Sequence, residues 1–122
     1  MKMEIAELEG RQLDYAVAFV TYGEPTDYGD GRYLFEKAQI CKVGADPYYL
    51  ADETRFSRSW SDGGPIIERF GYKIEKIGDT WYATDSYDGV GCADGKTPLV
   101  AAMKWHVCSR SQADEIDIPE DL

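Results

Sequence analysis

Trp60-Ser-Asp-Gly-Gly-Pro-Ile-Ile-Glu-Arg69 and the run after it, Tyr72-Lys-Ile-Glu-Lys-Ile-Gly-Asp-Thr-Trp-Tyr-Ala-Thr-Asp85, decide the fold of this chain. Gly63-Gly64 opens backbone angles closed to other residues, and Pro65 presets φ for a first helical turn. Ile66, Ile67 and Phe70 give that turn an apolar side, leaving Glu68 and Arg69 to water. Beyond it, Tyr72, Ile74 and Ala83 alternate along two runs of strand character. Gly78-Asp79 between them is a two-residue hairpin signal. With that turn, Lys76 pairs with Trp81 and Ile74 with Ala83. The remainder of the chain is expected to pack on this unit.

Toward the N-terminus, residues 1–5 suit a short strand. Leu13, Ala16, Val17 and Val20 then recur at helical spacing, which predicts an amphipathic helix over 10–20. Gly23, Pro25, Gly29 and Gly31 break it into a loop rich in tyrosine and acid, and one or two strands are expected within 32–43. Asp46-Pro47 reads as a turn and Tyr48-Tyr49-Leu50 as a short strand. Past the hairpin, a glycine-rich loop over 87–96 leads to Thr97-Pro98, an N-cap followed by the proline favoured at the first helical position. Leu99, Ala102, Met103, His106 and Val107 carry that helix to about Ser111. Glu115-Ile-Asp-Ile-Pro119 alternates as an edge strand, and residues 120–122 form an acidic tail expected to fray. The sum is an α+β chain, a single domain over 1–122 with a mostly antiparallel sheet, two main helices and long loops.

The balance of charge is −10 in 122 residues, with 43% hydrophobic and 13% aromatic side chains. Such a chain folds, and it repels nucleic-acid backbones and anionic membranes, so neither is an expected partner. A basic protein partner is compatible with it. No stretch approaches membrane-spanning length, and residues 1–5 lack the apolar core of a secretory signal. Cys41, Cys92 and Cys108 are odd in number and far apart, which suits reduced thiols better than a disulfide or zinc framework.

Arg55 and Arg58 precede Trp60 as a basic spot in this acidic chain. Together with Gly63, Gly64, Arg69 and Trp81 they form the candidate ligand-binding set: an indole stacks on a base, arginines fork onto phosphate, and glycine amides at a helix start face an anion. The alternative is that Trp60 plugs the core and Gly-Gly-Pro is a structural turn. His106 and Cys108 lie two apart on a helix and point to different faces, so His106 reads as a buried structural histidine rather than a catalytic one. Asp85, Asp88 and Asp94 depart from the spacing of a calcium loop and read as solvated acid. No cofactor, metal or catalytic residue is expected, and an enzyme is disfavoured.

Several motifs carry a resemblance: Glu7-Leu8, Leu13-Asp14, Ala16-Val-Ala18, Gly63-Gly-Pro-Ile-Ile-Glu68, Trp81-Tyr-Ala83, Thr97-Pro-Leu-Val-Ala-Ala-Met-Lys104 and Ile116-Asp-Ile-Pro119. Together they resemble the NinX-like family of small bacteriophage proteins of unknown function, nearly end to end. Lys104 stands where the family usually has arginine, and Asp62 where it often has glutamine. The resemblance implies a phage accessory protein acting in the host cytoplasm and supplies no catalytic residue. Three functions follow as expectations. The first is a homo-oligomeric binding protein that sequesters a small nucleotide-like signal of host defence. The second is an acidic inhibitor of a basic, nucleic-acid-acting host protein, and the third, ranked last, is a phosphodiester hydrolase.

Overall fold

The computed structural model describes residues 1–27, 33–35, 48–49, 55–85, 91–120 and 122. The Asp46-Pro47 turn, most of the expected strands over 32–43, Cys41 and Asp88 lie outside the described residues. In chain order the described elements are β1 (Lys2–Glu4), a 3-10 turn (Ile5–Glu7), α1 (Gly10–Tyr22), β2 (Thr26–Asp27), β3 (Tyr33–Phe35), β4 (Tyr48–Tyr49), α2 (Trp60–Phe70), β5 (Lys73–Ile77), β6 (Thr80–Thr84), β7 (Ala93–Gly95), α3 (Pro98–Ser111) and β8 (Glu115–Asp117). The class is α+β, as the sequence predicts. Among the described residues the strands form three small antiparallel sheets, β1-β8, β2-β3-β4 and β5-β6-β7.

α3 is the element the others share. Thr97 caps it as expected, its hydroxyl oxygen accepting the Val100 N–H at 3.1 Å, with Pro98 opening the helix. Leu99, Ala101, Ala102, Met103, His106 and Val107 are all buried, more than a single stripe. The reason is that α1 packs on one side of α3 and the β5-β6-β7 sheet on the other. From α1 come Leu13, Ala16, Val17 and Ala18, fully or nearly fully buried in the same core. The hairpin has the predicted register: Gly78, at φ +64°, makes the turn, Lys76 faces Trp81 and Ile74 faces Ala83.

Two expectations need correcting. The turn at Gly63-Gly64-Pro65 is not a helix start, because α2 begins at Trp60 and holds Pro65 inside. The start comes earlier because Ser59, in extended geometry, accepts the Gly63 N–H at 2.9 Å, while the Asp62 carboxylate reaches back to the Arg55 N–H at 3.1 Å. Proline then removes one internal donor, opposite the Ser61 carbonyl. Gly63 is needed for close approach: a Cβ there would collide with the Phe56 carbonyl and come within 2.7 Å of Leu99 Cδ1. The other correction concerns α1, which extends to Tyr22 before Gly23 ends it. At the far end of the chain Leu122 is half-buried against the core, its N–H 3.3 Å from the Pro119 carbonyl oxygen.

Candidate ligand-binding site

Asp14 faces inward on α1 and is 0% exposed. A carboxylate so placed must be hydrogen-bonded or paired. One oxygen, Oδ1, accepts the Ser57 N–H at 2.8 Å and the Ser57 hydroxyl at 2.7 Å. The other, Oδ2, accepts from Arg58 Nη2 at 3.1 Å. Burial pushes the Asp14 carboxyl above the ordinary carboxylate value, and the bonds from Ser57 and Arg58 oppose that push. The Arg58 side chain is 49% exposed, so the pair runs from the core outward to the surface.

Where it emerges there is a cleft of about 470 Å³. Its walls come from the 3-10 turn and the start of α1 (Ala6, Leu8, Glu9, Gly10), from Ser57-Arg58, from the hairpin turn (Asp79, Thr80), from β7 (Asp94, Gly95) and Lys96 just after it, and from α3 (Val100, Lys104). Sequence folds these together for identifiable reasons. Gly95 lets β7 lie against α3, since a Cβ there would come within 2.6 Å of the Ala101 nitrogen. Lys104 donates from Nζ to the Ala6 carbonyl oxygen at 2.6 Å, tying α3 to the 3-10 turn. α1 begins at the cleft without a capping side chain, so the positive end of its backbone dipole faces the same space. Arg58, Lys96 and Lys104 thus converge on one hollow of a chain carrying −10. Glu9, Asp79 and Asp94 share the walls. This combination can hold an anionic group and, beside it, accept from N–H or O–H donors.

Of the seven residues singled out from sequence, Arg58 lines this cleft and the other six are not among its lining residues. Trp60 is 56% exposed on α2, and a Cβ added at Gly64 would lie 3.8 Å from its indole, in ordinary contact. Arg55 is exposed before α2, and Arg69, near the other end, lies 5.7 Å from the Phe70 ring centre. Gly63 is buried, its amide bonded inside the helix. Trp81 is half-buried on β6 under the Lys76 ammonium, 5.7 Å from the indole centre. Sequence reasoning missed Lys96 and Lys104 as cleft-lining residues and Asp14 as the buried partner of Arg58. The signals available for them were the N-cap that starts α3 and an acid set among the apolar positions of α1.

His106 is also 0% exposed, and it is closed off from any hollow described above. The Thr21 hydroxyl donates to the Val17 carbonyl at 2.6 Å and so accepts from His106 Nε2 at 2.8 Å. Nδ1 then accepts from the Tyr72 hydroxyl at 2.6 Å. Burial, aided by the charge of Arg110, lowers the imidazole to about 4, so it is neutral at pH 7. This is the structural histidine expected from its helical position. A neighbouring hollow of about 380 Å³ shares Ala6, Asp94 and Lys104 with the cleft and is lined also by the free thiols Cys92 and Cys108. Burial, with the charge of Asp114 beside it, raises the Cys108 thiol above its ordinary value. Among the described residues no cluster of three or more histidine, cysteine or acidic side chains could hold a metal, and no helix is long and apolar enough to cross a membrane.

In comparison with known families, the family model described as Bacteriophage P22, NinX matches residues 4–110. That span holds α1, the Ser57-Arg58 turn, the hairpin and all the cleft residues. No curated protein matches the chain.

Proposed function

The chain belongs to the bacteriophage P22 NinX family, and from that premise we propose that it is a phage accessory protein that sequesters a small nucleotide-type host signal in the Arg58–Lys96–Lys104 cleft. It acts in the host cytoplasm, against nucleotide-signalled defence, and holds its ligand without turning it over. One observation carries this reading: in a chain of net charge −10, three cations and three carboxylates line one hollow of about 470 Å³. Bare phosphate would be served by the cations alone. A nucleotide needs both kinds of wall, cations for its phosphates and acceptors for ribose hydroxyls and base amines.

Titration calorimetry with ATP and a set of cyclic dinucleotides tests it. Arg58→Ala and Lys104→Ala should each weaken the tightest binder by tenfold or more, since a charge-assisted hydrogen bond contributes about 1.5–3 kcal/mol. Unchanged affinity in both variants, or hydrolysis of the bound compound, would overturn the proposal. A second reading, an acidic inhibitor that occupies a basic nucleic-acid-acting protein, is favoured by the net charge alone. It predicts capture of a host protein that weakens steeply between low and high salt.

A further inference from the structure

We infer that Asp14 is the positioning residue of this cleft: a buried carboxylate whose second oxygen fixes the Arg58 guanidinium in the ligand-binding orientation. The inference rests on the ligand reading above and goes beyond it, because Asp14 itself does not line the cleft.

Holding the 56–58 turn on α1 needs an acceptor for the Ser57 N–H and hydroxyl, and Oδ1 alone supplies it, at 2.8 and 2.7 Å. A neutral asparagine oxygen would serve that purpose without the desolvation penalty of a fully buried charge. The chain carries the charge instead, and directs Oδ2 to Arg58 Nη2 at 3.1 Å. That bond takes one edge of a guanidinium with five N–H donors and leaves the rest at the cleft wall. Arginine loses less freedom per hydrogen bond than lysine when its planar head is already held. Affinity therefore depends on the fraction of time Arg58 spends in the held orientation.

Asp14→Asn separates the two roles. Its side-chain oxygen still accepts both Ser57 bonds, so the turn stays on α1. Its amide nitrogen, however, meets Arg58 donor to donor, and the guanidinium swings free. If Arg58 then occupies the held orientation about a tenth of the time, affinity for the tightest nucleotide falls about tenfold. Ser57→Ala keeps the Oδ2 bond and should hold affinity within about twofold. NMR of the Arg58 guanidinium, without any ligand, supplies a readout that a merely structural residue would not move. Restrained, separate Nη resonances are expected in the wild-type protein and averaged ones in Asp14→Asn. Should Asp14→Asn fail to fold, Arg58→Lys decides with the wild-type spectrum: it keeps the charge and loses the fork, so affinity should fall about tenfold.

Loss of binding in Arg58→Ala with full binding in Asp14→Asn would overturn this inference and leave the ligand reading standing. So would freely averaged Arg58 resonances in the wild-type protein, or Arg58→Lys binding as the wild type does. Full binding in Arg58→Ala would overturn the ligand reading and this inference together.

Discussion

Two buried polar networks in this molecule begin alike and end differently. His106 and Asp14 are both 0% exposed, and each joins elements distant in sequence through hydrogen bonds. The histidine network closes on itself, from Tyr72 through His106 and Thr21 to the Val17 carbonyl, and is neutral throughout. Asp14 instead hands its charge to Arg58, half exposed on the wall of a cleft. The lesson is that a closed, neutral network is an economical way to specify packing, whereas a buried charge leading to the surface is more than stability demands. Function is to be sought at the open end.

The largest expected effect breaks the closed network. His106→Ala should destabilise the protein by about 3 kcal/mol, from the cavity and the stranded Tyr72 and Thr21 hydroxyls. Nucleotide affinity of the folded fraction should not change. Urea denaturation and calorimetry read the two separately.

Acid titration sharpens the contrast, because the two buried groups carry opposite signs. His106 is lowered to about 4 in the fold against about 6.5 unfolded, so the unfolded chain binds the extra proton. Its share of stability is complete above about 6.5 and lost as pH falls to about 4, at most about 3 kcal/mol. Asp14 is raised, so its share is greatest below the ordinary carboxylate range and declines as pH rises through its native value. Against the wild type, His106→Gln should lose the fall between pH 6.5 and 4, and Asp14→Asn should keep it. Stability measured across that interval for all three proteins checks both signs.

A smaller step is Thr21→Val, which leaves the His106 Nε2–H without its acceptor and should lose about 1–2 kcal/mol in urea. Smallest is Trp60→Ala. On an exposed helical position it should shift stability by no more than about 0.5 kcal/mol and cleft affinity by less than about twofold. A larger fall in affinity would move the binding site from the cleft to the α2 face chosen from sequence.

What the sequence discloses here follows from the range of the interactions involved. The hairpin register and the start of α3 are local, set by Gly78-Asp79 and Thr97-Pro98, and both are legible. The beginning of α2 is not legible, because the proline signal at residue 65 is local and strong while Ser59 finds its partner in the amide of Gly63, in the middle of the apparent turn. His106 could be placed inside the core from helical spacing alone, but its partners Thr21 and Tyr72 come from two other elements. For the cleft, only Arg58 was visible, as a basic spot in an acidic chain. Asp14 lies 43 residues from Ser57, and by composition an aspartate on an amphipathic helix belongs to the wet side. Lys96 and Lys104 are ordinary surface cations until β7 is laid on α3.

Native mass spectrometry shows whether the open end of the Asp14 network binds a nucleotide-type ligand. The protein would be purified from cells carrying nucleotide-signalling defence, beside its Arg58→Ala variant. An added mass of nucleotide size is expected on the wild-type chain, released intact on denaturation and absent from the variant. A bare wild-type mass, or the same adduct on both proteins, would contradict it.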